Sequence, residues 1–179
     1  MSTRIALVAA WDEVARAAAT SALLVDLPDA LVIQHDLSPG GDLSRRCWDA
    51  GGLIDQSWIR LEHGCISCAT REDLVPTLTS VLRERAWTHV VVSLPLTAAP
   101  EAITWPLWEA IKHHELDARL AAVLTIADET TLVEDVFGDD LLADRGRVER
   151  AFRDILLTDH EAADLSHWDC DDGLDRWLG

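Results

Sequence analysis

Short runs of consecutive apolar residues alternate along the chain with stretches in which apolar positions recur every three to four residues. This is the pattern of a parallel sheet whose strands are buried on both faces by amphipathic helices. The first run, Arg4-Ile5-Ala6-Leu7-Val8-Ala9-Ala10, predicts the first strand. Asp12 then caps a helix carrying Val14, Ala17, Ala18, Ser21 and Leu24, which Leu27-Pro28-Asp29 ends. A second strand over residues 30–36 stops at Ser38-Pro39-Gly40-Gly41, so the chain opens with a strand–helix–strand unit. A short helix is predicted over residues 43–50 and a third strand over 58–61. The pattern continues with a helix from Glu72 to Arg85, a strand over 90–94, a helix from Glu101 to His114 and a strand over 120–126. Residues 129–165 read as helical, with Leu141, Leu142, Val148, Phe152, Ile155 and Leu156 on apolar faces, and no further strand is expected. Without an internal repeat or a long linker, the reading is one α/β domain over residues 1–165, with a mostly parallel sheet and flanking helices. An acidic tail follows over 166–179.

Composition narrows the partners. The 179 residues are 49% hydrophobic, enough for one domain with a substantial core. Acids outnumber basic residues 32 to 15, a formal net charge of −17, which repels nucleic-acid phosphates and anionic membranes. Neither a signal-peptide core nor a long uninterrupted apolar run is present, and two of the four cysteines are isolated, so a reducing, cytoplasmic setting is expected.

Chemistry concentrates in Glu62-His63-Gly64-Cys65-Ile66-Ser67-Cys68-Ala69-Thr70-Arg71-Glu72-Asp73. The Cys-x2-Cys spacing puts both sulfurs on one side of a tight loop, close enough to share a metal ion or to form a disulfide. Gly64 allows a sharp turn, and Thr70-Arg71-Glu72-Asp73 reads as a helix start with Thr70 as N-cap. A nearby helix N-terminus favours the thiolate that binds metal or attacks a disulfide. Spacing alone leaves a shared metal, a redox pair and two buried core thiols all open, although no thioredoxin-like order of elements supports the redox pair. Carboxyl ends of parallel strands gather ligands, which points to His35-Asp36, Glu62-His63, Ser93 to Pro95 and Asp128. His113 and His114 are adjacent on a helix and make a poor metal pair, and Trp105 and Trp108 are read as core or oligomer contacts.

The order of these motifs resembles the CobW family, the metallochaperone-type branch of the P-loop GTPases. Gly64-Cys65-Ile66-Ser67-Cys68, followed by Arg71, Asp73 and Leu74, is similar to the family's Gly-Cys-x-Cys-Cys and its Arg-x-Asp-Leu, with Ser67 at the middle thiol. Asp36 matches the acid that ends the family's second strand near its metal site. Ala98 and Pro100, and Thr125-Ile126-Ala127-Asp128, match weaker motifs, and the likeness runs in order over residues 4–165. The resemblance implies a P-loop NTPase (G-domain-like) architecture and a metal site of Cys65, Cys68, Asp36 and His63, with His35 or water as an alternative fourth donor. Zinc or a related divalent transition metal is the implied ion, and a metal-recipient protein the implied partner.

The departures bear on nucleotide. A phosphate-binding loop needs Gly-x4-Gly-Lys-Ser/Thr after the first strand, because glycines let backbone N–H groups cradle phosphate while the lysine neutralises it. Here Ala9-Ala10-Trp11-Asp12-Glu13-Val14-Ala15-Arg16 has neither glycine nor lysine and carries two acids. Ser93-Leu94-Pro95-Leu96 replaces the family's Glu-Thr-x-Gly, and the guanine-reading Asn-Lys-x-Asp and the C-terminal domain are expected to be missing. The expectation is a degenerate P-loop protein that no longer hydrolyses GTP and serves as a metal chaperone, buffer or sensor. The alternatives are a metal-free α/β interaction or homo-oligomerisation module, and a residual weak GTPase.

Overall fold

The run around Ile5, Leu7 and Val8 forms the centre of the fold, because side chains that are apolar on both faces are accommodated only where helices cover both sides of a sheet. In the computed structural model, which describes residues 2–62, 64–96, 98–140 and 155–158, the elements are β1 (Thr3–Ala10), α1 (Glu13–Asp26), β2 (Ala30–Leu37), β3 (Leu43–Asp49), β4 (Gly52–Ile59), α2 (Ile66–Glu84), β5 (His89–Ser93), α3 (Pro100–Lys112), β6 (Ala118–Ala127), α4 (Leu132–Phe137) and β7 (Ile155–Thr158). Among the described residues one sheet runs in the order β4-β3-β2-β5-β1-β6-β7. The pairs β1–β5, β1–β6, β2–β5 and β6–β7 are parallel, while the β2–β3 and β3–β4 pairs are antiparallel.

Strand periodicity sorts the core into two layers. Ile5, Leu7, Ile33 and Val92 point to one face and pack with Leu74 and Leu78 of α2 and with Ile103 and Leu107 of α3. Val8, Val32, Val91 and Leu124 point to the other and pack with Ala15, Ala19 and Leu23 of α1. Helices following the adjacent strands β1 and β5 thus leave to opposite faces, which opens a crevice at the carboxyl ends of those two strands. The result is an α/β fold of P-loop NTPase-like architecture, as expected.

Four local expectations are corrected. Residues 43–50 are not helical but form β3 and the turn after it: Leu43 and Cys47, four apart, suit one helix face and equally one strand face, and the ladders to β2 and β4 decide for the strand. The third strand in the predicted series begins at Gly52 rather than at residue 58. It is an edge strand whose Leu53, Ile54 and Trp58 are exposed, so no alternation of burial marks it. Helix α2 starts at Ile66, with Cys65 as N-cap, and the Thr70 hydroxyl donates back to the Ile66 carbonyl (2.8 Å) instead of capping. The last third is not uniformly helical, since α4 has six residues and β7 adds a parallel strand beside β6. The helical expectation over 141–154 and 159–165, and the tail 166–179, lie outside the described residues.

Candidate functional site

Beyond β4 the chain turns through Gly64, whose φ of +65° lies in the left-handed region that favours glycine, and delivers Cys65 to the N-terminus of α2. Cys65 Sγ accepts the backbone N–H of Cys68 (3.3 Å) and is joined to Cys68 by a disulfide across a Cα–Cα distance of 5.3 Å. The pair opens on a cavity of about 470 Å³ that is also lined by Arg60, Glu62, Glu72 and Asp73. Ser67, between the sulfurs, accepts the N–H of Ala99 (2.8 Å), so the cysteine turn is fastened to the residue that precedes α3.

Asp36, at the end of β2, lies in a cationic setting. Arg16 is buried with 1% of its surface exposed. Its Nη1 donates to the carbonyls of His35 (3.1 Å) and Leu94 (2.7 Å), and its Nη2 donates to Glu13 Oε1 (2.7 Å) and Asp36 Oδ1. Arg46 Nη2 (2.7 Å) and Gln34 Nε2 (2.9 Å) donate to the other Asp36 oxygen. Burial pushes the Asp36 carboxyl up, but the charges and hydrogen bonds of Arg16 and Arg46 outweigh it and hold the group below its ordinary value. The first turn of α1 is closed by its own acid, because Asp12 Oδ1 accepts the N–H of Ala15 (2.9 Å).

A second ionic cluster clamps α2 to the sheet. Asp73 bonds His35 Nε2 through one oxygen (2.8 Å) and Arg45 Nη1 through the other (2.7 Å). Arg45 also donates to Thr77 Oγ1 (2.6 Å), Asp55 Oδ2 (2.6 Å) and Ser57 Oγ (2.9 Å), which ties β3, β4 and α2 together. Cys47 lies beneath this cluster as a free, buried thiol, and burial pushes its pKa up to about 11.

The sequence-selected residues therefore occupy different settings. Cys65 and Cys68 are together, Asp36 and Leu94 meet through Arg16, and His35 is turned to Asp73. Ser93 accepts from Thr20 Oγ1 (3.3 Å), and Asp128 holds its own turn by accepting from Thr130 (2.8 and 2.6 Å). His63 lies outside the described residues. No group of three or more His, Cys, Asp or Glu side chains among the described residues is arranged to hold a metal ion. The sulfurs are bonded to one another and guanidinium groups hold Asp36 and Asp73. Sequence reasoning passed over Arg45, and it quoted Arg16, Ser67 and Glu72 within their motifs without assigning them these contacts. Only Arg16 had a readable signal, since Ala10-x4-Ala15-Arg16-Ala17 keeps the spacing of Gly-x4-Gly-Lys-Ser/Thr.

The sequence profile of the family described as "CobW/HypB/UreG, nucleotide-binding domain" matches residues 41–160, well over half of the chain. Among curated proteins, the chain is 30% identical over 183 residues to "Zinc chaperone Rv0106" of Mycobacterium tuberculosis, an alignment covering 89% of this chain and 44% of the relative. It is 28% identical over 110 residues to "Zinc chaperone CobW" of Sinorhizobium sp, covering 59% of this chain and 29% of the relative. It is 23% identical over 131 residues to "Zinc-regulated GTPase metalloprotein activator 1" of Schizosaccharomyces pombe, covering 70% and 30%. The chain thus spans less than half the length of these relatives. No solved structure matches it significantly.

Proposed function

The chain belongs to the CobW/HypB/UreG nucleotide-binding-domain family, and from that premise we propose that it binds zinc, or a related divalent transition metal, as cargo and works without nucleotide. One observation carries the proposal: the only Cys-x2-Cys pair in the sequence sits at the N-terminus of α2 on a cavity that carboxylates also line. In the reduced state the pair supplies two thiolates, which select borderline and soft cations. The family resemblance offers Asp36 and His63 as further donors. Of these, Asp36 is engaged by Arg16 and Arg46, so the sulfurs are the firmer part of the set.

Independence from nucleotide is supported at the start of α1. A phosphate would need the N–H groups that open that helix, and the Asp12 carboxylate already accepts one of them. Arg16, at the lysine position of the spacing, is turned inward onto backbone carbonyls and acids. A chaperone, buffer or sensor that passes the ion to a recipient protein in the cytoplasm fits these features. No helix among the described residues is long and apolar enough to cross a membrane.

The test is zinc content and affinity of the reduced protein beside Cys65→Ala. Stoichiometric binding that the variant loses supports the proposal, and binding indifferent to Cys65 removes it. The exposed edge strand β4, with Leu53, Ile54 and Trp58 facing solvent, favours a second reading as a metal-free interaction module. That reading predicts a folded double-cysteine variant that still engages its partner.

A further inference from the structure

Resting on the zinc-binding reading, we infer that the carboxylate completing the site is Glu72, with Glu62 beside it in the same cavity, and that Asp36 is not a ligand. Both Asp36 oxygens are already engaged: one accepts from Arg16 and the other from Arg46 and Gln34. Two guanidinium groups at that carboxylate also repel a cation. Withdrawing Asp36 toward a metal would strip the buried Arg16 of a counter-charge, a costly exchange. Asp73 lines the cysteine cavity but is equally committed, to His35 and Arg45.

Glu72 is less committed than either, although Arg71 contacts it and Arg60 also lines the cavity. It stands four residues after Cys68 on α2, the spacing that places Cβ atoms about 5–6 Å apart on one helix face. Both residues line the cavity. The Glu72 side chain is 72% exposed, and its ion pair is a long 3.5 Å contact with the neighbouring Arg71. Glu62 enters the same cavity from the segment between β4 and α2. Two sulfurs and one or two carboxylate oxygens, with room for water, make a donor set suited to zinc or cobalt.

The set assembles only after the Cys65–Cys68 bond opens. A dithiol reductant supplies two electrons and two protons, giving two protein thiols and the reductant's own cyclic disulfide, and cation binding then displaces the two thiol protons.

The experiment uses the full chain, reduced with a dithiol, desalted anaerobically and titrated with Co²⁺, followed by competition with Zn²⁺. Wild type is compared with Cys65→Ser, Glu72→Gln, Glu72→Asp, Glu62→Gln and Asp36→Asn. The sulfur-to-cobalt charge-transfer band and the dissociation constant are read, with the far-ultraviolet circular dichroism of each variant. We expect Glu72→Gln to keep its fold and the sulfur band while weakening binding at least about tenfold, since even groups that only orient a ligand are worth about 10–100-fold. Glu72→Asp should restore part of the affinity, and Asp36→Asn should stay within about threefold of wild type. Unchanged affinity in Glu72→Gln overturns the inference, as does a tenfold loss confined to Asp36→Asn. Loss of the fold in Asp36→Asn leaves the two Glu72 variants to decide. Absence of any sulfur band in reduced wild type defeats the zinc-binding reading itself, a result distinct from a Cys65-dependent band that ignores Glu72.

Discussion

Arg16 Nη2 donates to the Asp36 carboxylate, fixing α1 to the end of β2 at the crevice where a P-loop NTPase would receive phosphate. The same guanidinium reaches the carbonyls of His35 and Leu94, so one side chain joins the ends of β2 and of the β5 strand. Its burial is tolerable because nearly every face of the charge is paired. Arg16→Ala should therefore cost about 3–5 kcal/mol, the range for removing one partner of a buried pair. Urea unfolding at neutral pH checks this, and Arg16→Lys should fall between alanine and wild type because one ammonium cannot span all four acceptors.

Acid should loosen the same joint. The folded-state pKa of Asp36 lies below its ordinary 3.8, so the folded protein holds the ionised form more strongly than the unfolded chain does. The stabilisation is complete above that ordinary value and is lost as pH falls through the folded value. Urea midpoints measured from pH 6 down to pH 2 should show an acid limb that is shallower in Asp36→Asn. An identical limb in both proteins would mean that other carboxylates set it.

Added GTP and Mg²⁺ should leave the thermal midpoint of wild type unchanged. A ligand that binds only the folded state at a hundredfold excess over its dissociation constant adds about 2.7 kcal/mol, which a melting curve detects readily. The proposed independence from nucleotide rests on Asp12, which already accepts an N–H at the start of α1, and on Arg16, which is turned inward onto a backbone carbonyl. A reproducible upward shift with GTP would revive the residual-GTPase alternative.

The sheet's parallel centre was legible because Ile5 to Ala10, Val90 to Val92 and Leu120 to Leu124 are apolar on both faces, and burial is their only consistent fate. The β3–β4 hairpin was not legible, because β4 shows solvent so many apolar side chains that no period emerges. The cysteine pair was evident from spacing, whereas its role as helix cap was hidden by Thr70, a better N-cap by residue type that instead bonds Ile66. The Arg16–Asp36 pair joins residues twenty apart, and the Arg45–Asp73 pair joins residues twenty-eight apart. No local pattern encodes such contacts; they follow from strand order.

Cys47 should resist alkylation while the fold is intact. Its thiol is buried, and burial lifts its pKa to about 11, so only about one molecule in a thousand carries the thiolate at pH 8. Iodoacetamide treatment of the reduced protein with peptide mapping should label Cys65 and Cys68 first, and Cys47 only when urea is added. Equal labelling of all three without denaturant would contradict the packing described for β3.

Ser67 replaces the family's middle thiol and yet accepts the N–H of Ala99, so it links the cysteine turn to the start of α3. A thiol is a weaker acceptor than a hydroxyl, so Ser67→Cys should cost stability. Ser67→Ala should lose about 0.5–1.5 kcal/mol, the ordinary net value of a hydrogen bond, without changing metal affinity severalfold. Ser67 is not among the residues lining the cysteine cavity, so Ser67→Cys should lose a comparable amount and leave zinc affinity within about threefold of wild type once reduced. Paired urea titrations and chelator competitions separate the two effects. Zinc affinity raised severalfold in Ser67→Cys would mean that the third sulfur turns away from Ala99 into the cavity that Cys65 and Cys68 share.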